Sequence, residues 1–545
     1  MAIAGESGDR PIDHLRGRFR PRHMCPSMPH SSLDSRPPTV RLNELLATLS
    51  LATDLGLGQP MEHVIRTCLI AVRLCEARGA STAELSTIYY AALLRFVGCT
   101  ADAHEAAARV GGDEIAFAES LAPLVMAEVP EWTSYVMRFA NEHHADPQSL
   151  PTPQSVLEFA SSVIRAHCEV ATMIARRLEL GAAVERALWH GFARWDGRGF
   201  PPDIGADDLP LASRVAALAR DVEVLTRTLG TESALEVIRG RRGLAYDPRL
   251  VDILSRHRAW CSPVAGASAW EEFLAAEPGV PLVVGEAMMD RVLDVFADFA
   301  DAKVPALLGH SRAVADVVER AARETGCPTD EQVRLRRAAL AHDIGRVGVP
   351  NGIWERPGPL APWEWERVKL HPYLSERMLA RSGPLAALAP LAGGHHERLD
   401  GSGYHRGVAA TALSRASRLL AAADVFVAMT QARPHRVAHT RPDAASAMRE
   451  EMKAGRLDRD AADAVLAAGG ATRPMRREPR GALSAREIEV LQLLCRGHPN
   501  REIAERLRIS PKTVGHHVQH IYGKMGVSTR AALAILALER GLLQD

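Results

Sequence analysis

The stretch Ala339-Leu340-Ala341-His342-Asp343-Ile344-Gly345 places a histidine beside an aspartate in an otherwise apolar run. An apolar helix that carries this pair must satisfy two polar groups in a buried setting, where an unpaired polar group is costly. Metal coordination satisfies both, because imidazole and carboxylate are ligands for the same divalent ions. The stretch therefore predicts a helical core built around a metal site.

Further candidate ligands surround this pair between residues 305 and 437. They are His310, His371, His395, His396 and Asp424. Any one of them alone would more often be a surface residue or a hydrogen-bonded core residue, but several separated motifs in one segment favour a shared site. The set contains no cysteine, which disfavours a structural zinc site, and it suits iron, manganese, zinc or nickel.

The order of these motifs, together with Asp400-Gly401-Ser402-Gly403-Tyr404, resembles the HD-GYP phosphohydrolases, a branch of the all-helical HD superfamily. The resemblance implies two divalent transition-metal ions, with iron or manganese favoured, bridged by Asp343. The implied ligands are His310, His342, Asp343, His371, His395, His396 and Asp424. It also implies hydrolysis of a phosphodiester, usually that of cyclic di-GMP, with Asp343 and Arg346 as catalytic residues. The implied substrate-binding residues are Arg346, Gly403 and Tyr404.

Four positions depart from the pattern of that family. Ala306 stands where members with three metal ions carry a glutamate, so two ions are expected here. Arg346 replaces a lysine, which keeps the positive charge near the substrate phosphate but changes its geometry. His405 replaces the proline of Gly-Tyr-Pro, and Val427 replaces an aspartate. The metal ligands are intact while substrate-facing positions differ, so the resemblance does not fix the nucleotide.

Two intervals in the first half of the chain repeat intervals in the second half. An interval of 32 residues joins His63 to Arg95 and His310 to His342, and an interval of 29 residues joins His167 to Asp196 and His371 to Asp400. We infer a second HD-GYP-like domain in the first half, with about 43 extra residues between its motifs.

The metal ligands are not repeated in the first half. Arg95-Phe96 replaces the His-Asp pair, and Gly191-Phe192-Ala193 replaces His-His-Glu. A phenylalanine cannot bind a metal and an arginine repels it, so this half is predicted to be inactive. It is a structural element, a dimer partner or a pocket for a regulatory ligand. A second metal site in the inserted segment near residues 100–152 remains an alternative, and its candidate ligands are His104, Glu105, His143 and His144.

The C-terminal segment is patterned as four short helices. Ser484 and Glu487 form a capping box before the first helix. Asn500 is placed to cap the second helix, and Ser510 caps the third, with Pro511 in its first turn. The predicted inward-facing residues are Ile488, Leu491, Leu494, Ile503, Ala504, Leu507, Val514, Val518 and Ile521. A fourth helix is predicted from about Thr529 to Arg540, ending at Gly541.

This segment resembles the LuxR-type helix-turn-helix domains over its whole length. The resemblance implies that the third helix enters the major groove of DNA. The implied DNA-binding residues are Lys512, Thr513, His516, His517, His520 and Lys524. Gly515 stands where many members carry a basic residue, which predicts weak base readout or readout through His516 and Gln519. From Thr472 to Asp545 the chain carries 13 Lys and Arg against 7 Asp and Glu, a charge suited to phosphate contacts.

Composition constrains the compartment. The 8 cysteines are scattered and form no C-x-x-C pair, which favours a reduced, cytoplasmic protein over a disulfide scaffold. No apolar run reaches membrane-spanning length and no signal-peptide core follows Met1, so no membrane association is expected. Residues 1–40 are rich in Pro, Arg and Ser without apolar periodicity, which predicts either a disordered extension or an artefact of an early start codon, since Met24 and Met28 are also available.

The predicted fold class is all-α, with two tandem HD-like helical domains, the first degenerate, followed by a four-helix LuxR-type domain. The predicted boundaries are 1–40 for the extension, 41–260 for the degenerate domain, 281–440 for the phosphohydrolase domain, 441–478 for a linker and 479–545 for the DNA-binding domain.

Three functions remain open at this point. The chain is a transcriptional regulator with an active phosphohydrolase domain, or a transcription factor that binds a nucleotide without cutting it, or a phosphohydrolase of another nucleotide. The expected partners are DNA, a nucleotide or cyclic dinucleotide, and a second copy of the chain, because LuxR-type domains usually read two half-sites.

Overall fold

The computed structural model describes residues 40–143, 152–202, 204–261, 268–470 and 483–543. Within these ranges the chain is helical and forms no strand, only isolated bridges such as that between Arg41 and Val283. The predicted all-α class is confirmed. The predicted extension over 1–40 lies outside the described residues except for Val40.

The first half is built from helices that surround a cavity. They are α1 (Leu42–Gly56), α2 (His63–Arg78), α3 (Thr82–Leu94), α4 (Ala103–Arg109), α5 (Glu114–Leu121), α6 (Val129–His143), α7 (Pro153–Arg177), α8 (Ala182–Trp189), α9 (Leu211–Leu229), α10 (Thr231–Gly240), α11 (Pro248–Arg256) and α12 (Trp270–Ala275). The inserted segment between the repeated motifs supplies α4, α5 and α6, and α6 packs against α7.

The second half carries the candidate ligands. Its helices are α13 (Glu286–Ala302), α14 (His310–Glu324), α15 (Thr329–Ala341), α16 (Asn351–Trp354), α17 (Pro362–Lys369), α18 (His371–Leu379), α19 (Ala389–Gly393), α20 (Arg415–Thr430), α21 (Arg441–Lys453) and α22 (Arg459–Gly470). Helix α14 packs against α15, α20 and α22, so it lies at the centre of this half.

One segment differs from its predicted role. Residues 441–470 of the predicted linker fold as α21 and α22, which pack on α20 and α14. Their apolar side chains explain this, because Met448 and Val465 are fully buried. The helical body therefore extends past residue 440, and residues 471–478 of the predicted linker lie outside the described part of the chain.

The two halves share local structure as well as spacing. Asp54 accepts the backbone N–H of Val64 at 3.1 Å, and Asp301 accepts that of Ser311 at 2.8 Å. Each aspartate stands nine residues before the first histidine of its half. These matched contacts fix the first turn of α2 and of α14 in the same way.

Two glycines at matching positions in the two halves also show that the halves share local structure. A Cβ on Gly98 would lie 2.2 Å from the carbonyl oxygen of His167, and a Cβ on Gly345 would lie 2.2 Å from that of His371. Only glycine permits this close approach of two backbones. The tandem HD-like arrangement predicted from the intervals is therefore present in three dimensions.

The C-terminal segment folds as α23 (Ala485–Cys495), α24 (Asn500–Leu507), α25 (Pro511–Met525) and α26 (Arg530–Glu539) around its own apolar core. The capping box of Ser484 and Glu487 and the Ser510 cap are as predicted. The second helix differs slightly, because Pro499 occupies the cap position and Asn500 begins the helix. Most of the predicted inward-facing residues are buried, while Ile488 and Leu507 are only partly covered.

The C-terminal helices dock on the helical body. Helix α26 packs against α7 and α13. Glu169 of α7 accepts hydrogen bonds from the backbone N–H of Ser528 at 2.7 Å and the hydroxyl of Thr529 at 2.6 Å. In the described part of the chain no single helix has the length and apolarity of a membrane span, although α25 and α26 reach it as a bent pair.

Candidate metal centre

The His-Asp pair lies where α15 gives way to a 3-10 turn, Ile344–Gly348. Helix α15 ends at Ala341, so His342 and Asp343 leave the helix into the interior, and both are fully buried. The close contact of Gly345 with His371 brings the start of α18 against this turn. Two distant ligand candidates are thus held together by backbone packing.

The carboxylate of Asp343 lies between two groups of histidines. Its Oδ1 is 3.3 Å from Nε2 of His371 and 3.5 Å from Nε2 of His395. Its Oδ2 is 3.0 Å from Nε2 of His342 and 3.7 Å from Nε2 of His310. One carboxylate therefore faces two sets of nitrogen donors.

Asp424, on α20, supplies a second carboxylate to the same centre. Its Oδ1 lies 3.0 Å from Nε2 of His310 and 3.8 Å from Nε2 of His342. Its Oδ2 lies 3.6 Å from Nδ1 of His396. Two groups of donor atoms are close enough to hold a metal ion, namely His371 with His395 and His396, and His310 with His342 and Asp343.

The far nitrogens of four of these histidines are hydrogen-bonded to oxygen. Nδ1 of His342 donates to the backbone carbonyl of Ala339 at 2.6 Å. Nδ1 of His371 donates to that of Val368 at 2.7 Å, and Nδ1 of His395 donates to that of Ala392 at 2.5 Å. Nδ1 of His310 lies 2.9 Å from Oε1 of Gln431. An Nδ1–H donor leaves the Nε2 lone pair directed at the two carboxylates, which is how metal-ligating histidines are oriented.

Burial and charge set the protonation of the centre. Burial lowers the pKa of His310 and of His371 to about 4, so both are neutral ligands near neutral pH. Burial also opposes a charge on His342, but Asp343 and Asp424 outweigh it and raise the pKa of this histidine to about 10. Two buried carboxylates at this place therefore attract positive charge, which either a proton on Nε2 of His342 or, in place of that proton, a bound metal ion would supply.

The donor set fits divalent metal ions. Oδ1 of Asp343 and Nε2 of His342 are buried without a hydrogen-bond partner in the described part of the chain. Unpaired buried polar atoms are rare in folded proteins unless they serve a site. Nitrogen and oxygen donors without cysteine suit first-row transition metals.

Arg346 lies inside this centre. Its guanidinium forms an ion pair with Oδ2 of Asp343 and lies 5.3 Å above the ring of Trp354. The indole N–H of Trp354 donates to the backbone carbonyl of Arg346 at 3.3 Å. The predicted catalytic arginine is thus held from both its backbone and its side chain.

The two other predicted substrate residues lie at the edge of the centre. The ring of Tyr404 is 4.6 Å from that of His396 and 5.6 Å from that of Trp365. Gly403 packs against the chain, since a Cβ there would lie 2.5 Å from the backbone nitrogen of Arg398. The close packing of the backbone explains why residue 403 is a glycine. The contact of Gly403 with substrate stays a prediction.

Sequence reasoning missed several residues that support the centre. Gln431, the residue directly after α20, orients His310, and the only sequence signal for it is its place seven residues after Asp424. Arg433 places Nη2 3.4 Å from Nδ1 of His310. Glu397, which follows the histidine pair, accepts the backbone N–H of Arg406 at 2.8 Å and so fixes the loop after Tyr404.

The corresponding place in the first half is filled by aromatic rings. The rings of Phe96, Phe192 and His167 lie edge to face at 5.1 to 5.9 Å. Arg220 follows Phe192 by the same 28 residues that separate Asp424 from His396, a replacement that sequence reasoning missed. No donor cluster of metal-binding size occurs in this half among the described residues.

The inserted segment shows no metal cluster in its described residues either. Nδ1 of His104 lies 2.7 Å from Oε1 of Glu355, and His143 stacks on Phe139. Glu105 is not part of a donor cluster there, and His144 lies outside the described residues.

The predicted DNA-binding residues fall on or near one face of α25. Lys512, His516 and His520 are exposed, and Thr513 and His517 are partly covered. The hydroxyl of Thr513 lies 2.8 Å from that of the capping Ser510. The ammonium of Lys524 donates to both carboxylate oxygens of Glu487, at 2.8 and 2.7 Å, so it is engaged within the domain.

Comparison with known families matches these features. The HD domain family matches residues 151–250 and 294–461, and the luxR family of bacterial regulatory proteins matches residues 481–537. The two HD ranges lie one in each half, in agreement with the repeat seen in the structure.

Several characterised proteins are similar to the chain. The 3'3'-cGAMP-specific phosphodiesterase 3 of Vibrio cholerae is 30% identical over 422 residues, which cover 76% of this chain and 92% of that protein. The 3'3'-cGAMP-specific phosphodiesterase 1 of the same organism is 36% identical over 35% of this chain and 44% of its own length. A cyclic di-GMP phosphodiesterase of Thermotoga maritima is 35% identical over 27% of this chain and 39% of its own length.

A solved structure is similar to most of the chain. The crystal structure of a cyclic GMP-AMP specific phosphodiesterase of V. cholerae, V-cGAP3, aligns with a TM-score of 0.57 and 27% identity over 80% of this chain and 99% of its own. The chain therefore belongs to the HD-domain family of the HD-GYP cyclic-dinucleotide phosphodiesterases, and it ends in a DNA-binding domain of the luxR family.

Proposed function

We propose that the chain hydrolyses a cyclic dinucleotide at a dinuclear metal centre in its second half and acts at DNA through its C-terminal domain. The division of the Asp343 carboxylate between two histidine pairs carries the proposal. Two bound divalent ions, of iron or manganese, would supply positive charge at the phosphodiester and lower the pKa of water. Ala306 stands in place of a third-ion ligand, in keeping with two ions.

The protein groups beside the centre suit a phosphodiester. Arg346 and Arg433 add two guanidinium groups, and burial together with Arg346 lowers the pKa of Arg433 to about 10, which leaves it charged at neutral pH. Guanidinium groups bind phosphate oxygens in pairs of hydrogen bonds. The rings of Tyr404 and Trp365 lie next to each other and offer a surface on which a base can stack.

We propose 3'3'-cGAMP as a better substrate than cyclic di-GMP. Phosphodiesterase 3 of V. cholerae, which this chain covers over 92% of its length, is named for 3'3'-cGAMP. His405 and Arg346 depart from the pattern of the cyclic di-GMP enzymes at positions beside the centre. The two substrates differ by one base, so the base-facing residues decide between them.

The experiment uses the full chain, purified after expression in metal-replete medium. Elemental analysis is expected to give two transition-metal ions per chain. Chromatography of the products is expected to show linear dinucleotide from 3'3'-cGAMP faster than from cyclic di-GMP. A chain without bound metal would contradict the proposal.

One observation favours a second candidate, a transcription factor that binds the nucleotide without cutting it. Arg346 is ion-paired with Asp343 and so occupies one side of the bridging carboxylate. Metal binding without turnover of either cyclic dinucleotide would support this candidate. Turnover of another nucleotide alone would instead make the chain a phosphohydrolase of different specificity.

We further propose that the chain binds DNA as a homodimer. Domains that read two half-sites need two copies at a fixed spacing. The exposed face of α25, with Lys512, His516 and His520, is the proposed contact. Analytical ultracentrifugation at micromolar concentration is expected to show a dimer, free or bound to DNA, and a strict monomer in both states would contradict this proposal.

A further inference from the structure

The first half contains a cavity of about 210 Å³ at the place that corresponds to the metal centre. Phe96 and Phe192, which replace metal ligands, form part of its wall. The inserted helices supply most of the rest, through apolar side chains such as Phe117, Trp132 and Val136. Aromatic residues at the ligand positions and the inserted helices together form an apolar chamber.

Helix α7 closes another side of the cavity. Val156, Phe159, Ala160, Val163 and Ile164 all line it, so one face of this helix is directed inward over two turns. Apolar cavities of this kind bind apolar molecules, because water gains few hydrogen bonds there. The wall therefore selects for a ligand with an aliphatic or other apolar body.

Positive charge lies in and behind the wall of this chamber. Arg220 lines the cavity, and its Nε is buried without a hydrogen-bond partner among the described residues. Arg95 is 3% exposed, and all three of its guanidinium nitrogens likewise lack a partner there. Its guanidinium lies 5.3 Å from the ring centres of Phe96 and Phe192.

The neighbouring carboxylate does not balance these two arginines. Asp221 accepts a hydrogen bond from Nη1 of Arg220 at 2.8 Å, but it also receives Arg241 at 3.4 Å and the hydroxyl of Tyr246. One carboxylate is therefore shared among several donors. An excess of buried positive charge remains, and a buried cation is costly unless an anion meets it.

The other charged groups that line the cavity are already accounted for. Lys303 is paired with Glu114 at 2.6 Å. Arg109 lies 4.1 Å from the ring centre of Phe159. Burial raises the pKa of Asp102, which favours its neutral form. His63 lies against Glu223, and Nε2 of His167 donates to the carbonyl of Arg95 at 2.9 Å.

We propose that this cavity binds an amphiphilic carboxylic acid. The aliphatic chain lies among the side chains of α5, α6 and α7, and the carboxylate meets Arg220, with Arg95 adding positive charge. The site is separate from the metal centre, so the proposal does not rest on phosphodiesterase activity. Arg95 does not itself line the cavity, but it lies against Phe96 and Phe192, which do, and its charge acts on the anion across these rings.

The test is isothermal titration calorimetry of the full chain with octanoate, dodecanoate and hexadecanoate, each below its micellar concentration. At least one acid is expected to bind with a stoichiometry of one per chain. Dodecanol, which has the chain without the charge, is expected to bind about tenfold or more weakly than dodecanoate, because a charged hydrogen bond is lost. Binding of none of the acids, or equal binding of acid and alcohol, would overturn the proposal.

Substitutions locate the site. Ala160→Trp fills the cavity and is expected to abolish binding, whereas Ser161→Trp, on the exposed side of the same helix, is expected to leave it unchanged. Arg95→Met removes the charge but breaks no side-chain hydrogen bond, so it is expected to weaken dodecanoate binding about tenfold while raising the thermal midpoint. Unchanged binding in a folded Ala160→Trp or Arg95→Met protein would contradict the assignment.

Discussion

The guanidinium of Arg346 forms an ion pair with the carboxylate of Asp343, one helical turn earlier in the chain. That carboxylate is also the group that faces both histidine pairs. A planar guanidinium can hold a carboxylate oxygen more rigidly than an ammonium can. Arg346 therefore bears on metal binding as well as on substrate.

Arg346→Lys is expected to raise the affinity of the centre for metal ions and to raise kcat on 3'3'-cGAMP several-fold. Lysine keeps one positive charge but releases Oδ2 of Asp343 from a fixed contact. Arg336→Lys is the matched control, because Arg336 pairs with carboxylates outside the centre. A fall in both metal content and kcat would show that the arginine supports the centre instead of competing with it.

Asp343→Ala is expected to remove the bound metal and the hydrolase activity together. The substitution deletes the one carboxylate that faces both histidine groups, so the loss is expected to exceed a hundredfold in kcat. Elemental analysis and a phosphodiesterase assay measure the two effects, and DNA binding by the C-terminal domain should not change. Asp330→Ala, at the exposed start of α15, is the control.

Phe96→Asp is expected not to create a metal site in the first half. Arg95, Phe192 and Arg220 still occupy the places of ligands, and a lone carboxylate among aromatic rings has no partner. The substitution should instead destabilise the first half by about 3 kcal/mol or more, from lost packing and a buried polar group. Elemental analysis and a denaturation curve test this, and an added metal ion per chain would be the contrary result.

The C-terminal fragment 479–545 is expected to fold alone and to bind DNA weakly. It has its own apolar core and an excess of basic residues. Binding should weaken steeply between low and high salt, because phosphate contacts release counterions. Lys512→Ala should lower the affinity for all sequences alike, as expected of a phosphate contact. Salt-independent binding in a fluorescence titration would contradict this picture.

The stability of that fragment is expected to fall in acid through Glu487. A hydrogen bond from Lys524, followed by the backbone N–H of Ser484, lowers the pKa of Glu487 from 4.5 to about 2. A lowered pKa means that the unfolded chain binds the proton more readily, so the stabilisation is complete above pH 4.5 and is lost as the pH falls towards 2. In the Glu487→Gln variant the denaturation midpoint should change less with pH over this range. A midpoint that depends on pH as in the unmodified fragment would argue against the assignment.

The sequence alone was sufficient to predict which kinds of residue form the metal centre and where the C-terminal helices lie. Ligand types, capping residues and helical periodicity are properties of single residues or of residues close together in the chain, so the sequence alone can predict them. Ser484 with Glu487 and Ser510 are examples, since their contacts span three residues. Residues 441–470 of the predicted linker differ from the prediction for the opposite reason, because α21 and α22 owe their place to contacts with α14 and α20.

Tertiary structure alone decided how the distant residues meet. The sequence names Asp343, His371 and Asp424, but only the packing of α15, α18 and α20 sets which oxygen faces which nitrogen. The sequence likewise shows that Phe96 replaces a ligand, yet the chamber beside it needs α5, α6 and α7 to converge. Residue type is a local property of the chain, whereas distances, burial and charge balance depend on contacts between segments far apart in sequence.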